Sequence, residues 1–203
     1  MDKVLRLFVA VELPFEVRRS VVHTMESLKA ITGDKALRWV RPEAIHLTLA
    51  FLGDTPESRV PEIARTLTVA VRPVEPFPLA PLGVGSFGGR GRLRVVWIGV
   101  GGDGGALLDL AEHVAASLVP LGYPREERAF NGHLTLARVR DEASPEARAH
   151  VHDMLMGFDP PAAPSFNVDQ ISLMQSILGP GGTAYRQLAT APMLGSAATR
   201  EGA

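Results

Sequence analysis

The sequence predicts an α+β protein built from two similar halves that are related by a pseudo-twofold axis. The tetrapeptide His-Leu-Thr-Leu occurs twice, at residues 46–49 and 133–136. A predicted strand begins 40 residues before the first histidine and 41 before the second, and an extended stretch begins 31 and 33 residues after them. This agreement in spacing indicates an internal duplication. The two histidine strands should therefore occupy equivalent positions and face each other across a cleft.

The first half reads strand, helix, strand, helix, strand. Its predicted elements are a strand at 6–13, a helix at 15–30, a short extended segment at 37–42, the first histidine strand, a helix at 59–71 and an extended stretch at 77–87. The first helix is amphipathic, because Val17, Val21, Met25 and Leu28 recur at helical spacing. Pro61 must lie in the first turn of the second helix, where proline removes no helical hydrogen bond.

The second half repeats this order after a basic, glycine-rich turn at 88–92. Its predicted elements are a strand at 92–100, a glycine-rich break at 101–105, a helix with Leu107, Ala111, Val114 and Leu118 on one side, the second histidine strand, a helix at 145–156 and an extended stretch from Phe166. Ser144 suits the N-cap of the last helix and Pro145 its first position. We expect one bilobal domain at 1–190, with half-repeats at about 4–87 and 92–188, and a frayed tail at 191–203.

Composition narrows the classes of function. The chain has a formal net charge of −1, which disfavours a protein that coats nucleic acid non-specifically. It contains no cysteine, which excludes disulfides, thiolate catalysis and cysteine metal sites. Its first residues are too charged for a signal peptide, and it has no apolar run of the roughly 18 residues that a membrane span requires. We therefore expect a cytoplasmic enzyme or binding protein.

Each histidine motif is predicted to be a strand with one buried face and one open face. Side chains alternate along a strand, so two sets of residues form. In the first motif the open face has His46, Thr48 and Ala50, and the buried face has Leu47, Leu49 and Phe51. In the second motif His133, Thr135 and Ala137 share the open face in the same way. The leucine face should anchor the strand in the core, where we also expect Phe51 to pack.

Two facing imidazoles suit general acid–base catalysis at a phosphate. One neutral imidazole can take a proton from water, while the other, protonated, gives a proton to the leaving alkoxide. The hydroxyls of Thr48 and Thr135 can donate hydrogen bonds to the non-bridging phosphate oxygens, where charge grows in the transition state. Such a site needs no metal and no cofactor.

Other kinds of site fit the sequence less well. A metal site needs three or four ligands, whereas each motif supplies one histidine and no carboxylate. His150 and His152 lie on a predicted helix, where residues two apart do not face each other. The chain lacks the G-x-S-x-G motif of serine hydrolases, and its glycine runs match neither the Walker A nor the dinucleotide-binding pattern.

Further short motifs accompany the two histidines in a fixed order. They are Arg6-Leu7-Phe8-Val9-Ala10-Val11-Glu12-Leu13-Pro14, then Trp39-Val40-Arg41-Pro42-Glu43 before His46, Phe51-Leu52-Gly53 after it, residues 133–138, and Ser176-Ile177-Leu178-Gly179-Pro180 with Gly182 and Tyr185. Together they resemble the two-histidine (2H) phosphoesterase superfamily. Within it, the chain is similar to the bacterial and archaeal RNA 2',3'-cyclic phosphodiesterases, also called 2'-5' RNA ligases, as far as about Leu188.

This resemblance implies a fold, an activity and a set of site residues. The fold would be bilobal and α+β, with antiparallel sheets lining a central cleft and helices outside. The activity would be metal-independent hydrolysis of an RNA 2',3'-cyclic phosphate end to a 2'-phosphate end. His46 would be the proton donor and His133 the proton acceptor, while Thr48, Thr135 and Arg138 would bind the substrate phosphate. The partner would be RNA, such as tRNA halves or short oligonucleotides, and the protein a monomer.

Several alternatives stay open at the level of sequence. The same cleft could hold an RNA end without turnover, or join RNA ends by 2'-5' ligation, which is the reverse chemistry. In an ideal strand Arg138 would point away from the imidazole face, so its binding role requires a twist or an end of the strand there. Tyr185 is a candidate for stacking on a base, and so is Phe51 if its ring lies outside the core. The candidates for a basic rim that steers RNA are Arg38, Arg41, Arg90, Arg92 and Arg94.

Overall fold

A computed structural model of the protein describes residues 2–33, 35–179 and 182–195. Within these ranges the chain forms nine β-strands and four α-helices, which confirms the predicted α+β class. The strands are β1 (Val4–Glu12), β2 (Leu37–Trp39), β3 (His46–Pro56), β4 (Phe77–Phe87), β5 (Val95–Gly102), β6 (His133–Val139), β7 (Phe166–Val168), β8 (Gln170–Gly179) and β9 (Gly182–Pro192). The helices are α1 (Phe15–Thr32), α2 (Val60–Val71), α3 (Gly104–Leu118) and α4 (Pro145–Met156). No helix among them has the length and apolar character needed to cross a membrane.

The strands form one antiparallel sheet whose order shows the duplication. The order is β7-β4-β5-β6-β3-β1-β8-β9, and β2 pairs with β6. Reading outward from the centre, β3, β1 and β8 on one side correspond to β6, β5 and β4 on the other. The first half of the chain supplies β1, β3 and β4, and the second half supplies β5, β6 and β8. The third strand of each half pairs with the first strand of the other half, β4 with β5 and β8 with β1, so the third strands have been exchanged. Each side of the sheet contains strands from both halves of the sequence, an exchange that the sequence did not predict.

The two halves of the sheet join at the histidine strands through one ladder pair. Leu47 of β3 lies opposite Leu134 of β6, and both leucines are fully buried. In the extension of an antiparallel register, the residue before one leucine lies opposite the residue after the other. This arrangement places His46 beside Thr135 and brings the start of both motifs to the centre of the sheet.

One face of the sheet holds the main hydrophobic core and the other is left open. On β1, alternate residues such as Leu7 and Val9 belong to the main core, whereas Phe8 and Ala10 belong to a small separate cluster with Met174. All four helices contribute buried residues to the main core. The helices therefore cover the leucine face, and the histidines project from the opposite face.

The predicted glycine-rich break at 101–105 is wrong. Gly102 continues β5, and a Cβ there would lie only 2.5 Å from the carbonyl oxygen of Pro78 in β4. Asp103 is the N-cap of α3, since its side chain accepts a hydrogen bond from the backbone N–H of Ala106 at 2.9 Å. Gly104 already belongs to the helix. Close approach of two strands, together with a φ of 101°, explains the glycine at 102.

The prediction of a frayed tail from residue 191 is wrong for its first five residues. Strand β9 continues to residue 192, and the side chains of Ala191 and Met193 are buried. The backbone N–H groups of Met193, Leu194 and Gly195 donate hydrogen bonds to carbonyl groups elsewhere in the chain. Small and polar side chains suggested fraying, but pairing with β8 holds residues 191 and 192, and backbone hydrogen bonds to Asp169, Arg72 and Val74 hold the next three. Residues 196–203 lie outside the described residues.

Candidate active site

The two histidines of the repeated motif lie together on the open face of the sheet. His46 begins β3 and His133 begins β6, one on each side of the Leu47–Leu134 pair. The rings are close enough for the charge of His133 to lower the pKa of His46. The structure thus brings the two copies of the motif together, as the duplication predicted. The expectation that the two strands face each other across a cleft is wrong, because they are paired neighbours in one sheet.

Both imidazoles are held in the same way. The Nδ1 atom of His46 lies 2.8 Å from the carbonyl oxygen of Ala44, and the Nδ1 atom of His133 lies 2.7 Å from that of Asn131. A carbonyl oxygen can only accept a hydrogen bond, so Nδ1 carries the hydrogen in both rings. In each ring, Nε2 is therefore the atom that can take up or release a proton toward a substrate.

A β-bulge interrupts each histidine strand at the same place. Leu49 of β3 has no partner in the register with β1, and Leu136 of β6 has none in the register with β5. Each of these leucines is the third residue after its histidine. An extra residue shifts the alternation by one, so side chains beyond it change faces. Phe51 and Arg138, which are five residues after their histidines, therefore lie on the open face.

The simple alternation predicted from sequence is wrong beyond the bulges. Phe51, which we expected in the core, is 61% exposed, and its ring lies 6.3 Å from that of Phe8 on the open face. Ala50 and Ala137, which we expected beside the imidazoles, instead pack against the main core. The same shift explains how Arg138 can share a face with His133 without the strand ending there.

Aromatic rings surround His46. Phe8 of β1 stacks on the imidazole with a centroid separation of 4.7 Å, and Tyr185 of β9 meets it edge-on at 4.9 Å. Phe8 and Tyr185 also contact each other at 5.1 Å. These rings remove the imidazole from water, and burial has the largest effect on the pKa of His46, which it lowers.

Polar and charged groups act on His46 from several directions. The Ala44 carbonyl that accepts from Nδ1 raises the pKa of His46, and so does the carboxylate of Glu12, its ladder partner on β1. The charge of Arg138, and that of His133 when it is protonated, lower it. Burial prevails, so the net pKa of His46 is lowered and its ring is neutral at pH 7 in the free protein.

Glu12 is fixed by polar side chains of two neighbouring strands. The hydroxyl of Ser172 in β8 donates a hydrogen bond to Oε2 of Glu12 at 2.7 Å. The amide Nε2 of Gln187 in β9 donates to the same oxygen and to the Ser172 hydroxyl, the latter at 3.1 Å. Because Ser172 is buried, this network holds the carboxylate in one place. Glu12 is therefore a fixed negative charge beside His46.

A second pair of aromatic rings lies against His133. Phe87 of β4 meets the imidazole edge-on at 4.8 Å, and the centroid of Trp97 in β5 lies 6.5 Å away. The indole lies across Gly85, its ladder partner, where a Cβ would be 2.3 Å from a ring atom. Both imidazoles are thus framed by aromatic side chains, although these come from positions that are not equivalent in the two halves.

Hydroxyl and guanidinium groups share this face with the imidazoles. The hydroxyls of Thr48 and Thr135 form no hydrogen bond with another described residue. Burial raises the pKa of Tyr185, while the charges of Arg138 and Arg6 lower it. The net direction is upward, so the Tyr185 hydroxyl keeps its proton at neutral pH and can donate it in a hydrogen bond.

These groups suit a phosphate better than a metal ion. In the part of the chain that the structure describes, no three histidines or carboxylates are grouped so as to hold a metal ion. The open face instead offers two imidazole nitrogens, two threonine hydroxyls and the guanidinium of Arg138. The hydroxyls and the guanidinium can donate hydrogen bonds to phosphate oxygens, the guanidinium with two N–H groups at once, and an imidazole Nε2 can do so when its ring is protonated.

Comparison with known proteins identifies the family to which the chain belongs. The 2'-5' RNA ligase superfamily matches residues 16–179, a range that contains both histidine motifs. The chain belongs to this superfamily. It is 36% identical over 184 residues to an RNA 2',3'-cyclic phosphodiesterase of Archaeoglobus fulgidus. The aligned residues span 91% of this chain and 98% of that protein. A protein of the same name from Methanothermobacter thermautotrophicus is 31% identical over 183 residues, or 90% of this chain and 96% of that protein.

Solved structures share the fold of this 2'-5' RNA ligase superfamily member. The crystal structure of TT0787 of Thermus thermophilus has a TM-score of 0.74 and 28% identity, covering 94% of this chain and 99% of that chain. Escherichia coli LigT in complex with 3'-AMP has a TM-score of 0.72 and 25% identity, with the same coverage. The resemblance and the fold class that the short motifs predicted are therefore confirmed.

The site contains residues that sequence reasoning did not find. Glu12, Phe8 and Trp97 were placed in predicted strands, and the first two also in the opening motif, but none was given a role in the site. Phe8 and Glu12 are four residues apart and so share a strand face, which was a usable signal. That signal has no meaning for function until pairing of β1 with β3 brings the face next to His46.

Proposed function

We propose that this member of the 2'-5' RNA ligase superfamily hydrolyses the 2',3'-cyclic phosphate at an RNA end to a 2'-phosphate. The observation that carries the proposal is the pair of imidazoles on one face, each with Nδ1 bonded to a carbonyl and Nε2 left for the substrate. The names of the relatives from Archaeoglobus fulgidus and Methanothermobacter thermautotrophicus support the same substrate. Because one chain supplies every group, the monomer is the proposed active unit.

The reaction needs one proton taken from water and one given to the leaving oxygen. His133 is the proton acceptor: its Nε2 removes a proton from water as the water oxygen bonds to phosphorus. His46 is the proton donor: its Nε2 gives a proton to the 3'-oxygen as the bond between phosphorus and that oxygen breaks. A 2'-phosphate and a free 3'-hydroxyl remain. The scheme requires neither a metal ion nor a cofactor.

The donor role requires His46 to be protonated when the substrate is bound. Burial lowers the pKa of His46 in the free protein, which opposes this role. A bound cyclic phosphate places a negative charge beside the ring, and Glu12 adds a second, fixed one. Both charges favour the imidazolium form. His46 therefore takes up its proton together with the substrate.

The remaining groups hold the phosphate and stabilise its charge. The hydroxyls of Thr48 and Thr135 flank the two imidazoles and are free to donate to the non-bridging oxygens. Arg138 lies on the same face beyond its bulge and neutralises charge that grows as water attacks. These three residues are thus the proposed substrate-binding residues, as the resemblance implied.

The first test uses a short RNA that ends in a 2',3'-cyclic phosphate, incubated in EDTA, with the position of the product phosphate read out. We expect a 2'-phosphate, and His46→Ala or His133→Ala should each lower the rate at least about 10²-fold while leaving the fold intact. His23→Ala, on the exposed face of α1, is the matched control and should have no effect. Binding of the end without any turnover would mean an RNA-end binding module instead.

The second test separates the two histidine roles. Replacing the 3'-oxygen of the cyclic phosphate by sulfur gives a thiolate leaving group, which departs without needing a proton. His46→Ala should then lose less than about tenfold on the sulfur substrate, while His133→Ala should still lose at least about 10²-fold. If the sulfur substrate restored the rate of His133→Ala and not that of His46→Ala, His133 would be the proton donor and His46 the proton acceptor.

Ligation is a second candidate, favoured by the name of the superfamily that the chain matches. In this reaction the 5'-hydroxyl of a second RNA replaces water, and its oxygen bonds to phosphorus as the 3'-oxygen leaves. The two histidines would keep their roles, and the product would contain a 2'-5' phosphodiester. Adding a 5'-hydroxyl RNA at increasing concentration tests this candidate, since the ligated product should rise with the added end and vanish in His46→Ala.

A further inference from the structure

Arg38 lies directly opposite Arg138 on the open face of the sheet. The two arginines are ladder partners in the pairing of β2 with β6, and directly opposite residues share a face. Their neighbours in the same register, Trp39 and Ala137, pack against the main core on the other face. Leu37, on the other side of Arg38, is also buried in that core. Alternation along β2 therefore places the Arg38 side chain beside that of Arg138.

Neither guanidinium has a counter-ion within the described part of the chain. No ion pair or side-chain hydrogen bond joins Arg38 or Arg138 to another described residue. Like charges directly opposite each other destabilise a sheet. By contrast, Arg90, another arginine of the predicted rim, forms a two-point ion pair with Asp153 of α4. An unpaired arginine beside the phosphate-binding arginine is the arrangement expected where a ligand brings the missing negative charge.

We infer that Arg38 binds the phosphodiester that precedes the terminal nucleotide of an RNA chain. This inference rests on the proposed function, in which Arg138 holds the terminal cyclic phosphate. The next negative charge along RNA is the phosphate on the 5' side of the terminal nucleoside. A guanidinium next to Arg138 suits this phosphate, because its planar group of N–H donors matches a phosphate. The site therefore takes RNA ends in preference to free cyclic mononucleotides.

The inference specifies which substrates should respond to Arg38. A 2',3'-cyclic mononucleotide lacks the preceding phosphate and should not respond. A dinucleotide with a 2',3'-cyclic phosphate end contains it. The same dinucleotide with an uncharged methylphosphonate in place of the internal phosphodiester keeps the length and both bases but removes the charge. Comparing the three separates the contribution of the charge from that of the added nucleoside.

The experiment measures kcat/KM for these three substrates with the wild type, Arg38→Gln and the control Arg65→Gln, an exposed arginine on α2. Arg38→Gln should lower kcat/KM about tenfold on the charged dinucleotide, as expected for one charge-assisted hydrogen bond. It should change the value less than about twofold on the mononucleotide and the methylphosphonate. Arg65→Gln should have no selective effect, and Arg38→Gln should unfold at the same temperature as the wild type or higher, since the like-charge contact is removed.

Two results would overturn the inference. An equal loss on all three substrates would mean that Arg38 binds the reacting phosphate, and no loss on any would mean that it binds none. Binding of the products gives an independent readout that does not depend on turnover. The wild type should bind the dinucleotide 2'-phosphate more tightly than 2'-AMP, and Arg38→Gln should remove that difference. A wild type that shows this binding but hydrolyses no substrate would contradict the proposed function and leave the inference standing.

Discussion

Phe51 and Arg138 occupy equivalent positions in the two halves of the chain. Each lies five residues after its histidine, and the bulge at Leu49 or Leu136 turns it onto the open face. One half therefore presents an aromatic ring where the other presents a guanidinium. The duplication places the two imidazoles symmetrically, but their flanks differ in charge. The two ends of the site are therefore not equivalent, although both are framed by aromatic rings.

Replacing Arg138 should weaken catalysis on every substrate. Arg138→Gln should lower kcat/KM at least about tenfold on a cyclic mononucleotide and on a cyclic dinucleotide alike, because the reacting phosphate is common to both. Arg138→Lys should recover part of the loss, since it restores the charge without the planar group of donors. The measurement is steady-state kinetics on both substrates. A loss confined to the dinucleotide would contradict the assignment of Arg138 to the reacting phosphate.

Replacing Phe51 should barely change stability, because its ring is exposed rather than in the core. Phe51→Ala should alter the free energy of unfolding in urea by no more than about 0.5 kcal/mol, as for other exposed positions. Phe77→Ala is the matched control: that ring is buried, and its loss should cost about 3–5 kcal/mol. Similar losses for the two variants would show that Phe51 packs in the core after all.

Removing the charge of Glu12 should lower the pKa of His46. The carboxylate favours the imidazolium form, so in Glu12→Gln only the Ala44 carbonyl still raises the pKa of His46, against burial, His133 and Arg138. The alkaline limb of the pH–rate profile, which reports deprotonation of the proton donor, should then move to lower pH. Proton NMR titration of His46 gives the pKa itself.

The control for Glu12→Gln is Glu16→Gln, which removes a carboxylate that is paired with Arg19 on the surface of α1. It should leave both the profile and the titration of His46 unchanged. A profile of Glu12→Gln with the alkaline limb in its original place would exclude a role of Glu12 in keeping the donor protonated.

Adding one methyl group at Gly85 should disturb the surroundings of His133. The new Cβ would lie 2.3 Å from a ring atom of Trp97, and the rigid indole cannot avoid it without moving. We expect Gly85→Ala to cost about 1–3 kcal/mol in the free energy of unfolding, as overpacking does, and to lower kcat. Gly89→Ala has open space around the new Cβ and is the control. Unchanged tryptophan fluorescence in Gly85→Ala would argue against displacement of the indole.

Replacing Arg148 should destabilise the fold without altering the chemistry of the site. Its guanidinium donates hydrogen bonds to the backbone carbonyls of Leu93, Arg140, Asp141 and Ala143. Arg148→Met removes all of these donors and should cost about 2–4 kcal/mol in the free energy of unfolding. Arg65→Met, on the exposed side of α2, should cost little. At a temperature where Arg148→Met is folded, its kcat should match that of the wild type.

Much of the fold was predictable because its signals are local. The bounds of β4 and α4 agree with the predicted ranges, since Pro145 and the Ser144 N-cap mark the helix start within a few residues of sequence. The bulges at Leu49 and Leu136 were not predictable. A bulged leucine resembles the apolar residues around it, and only the register with the neighbouring strand identifies it as extra.

The sequence by itself determined most of the elements, the duplication and the candidate reacting groups of this protein. A repeated His-x-Thr motif and an apolar periodicity are properties of neighbouring residues, so they can be read without knowing the fold. Tertiary structure alone decided that the third strands are exchanged, that Glu12 lies beside His46 and that Arg38 lies opposite Arg138. These relationships join residues far apart in the chain. Strand order and register create them, and both arise only when the whole sheet assembles.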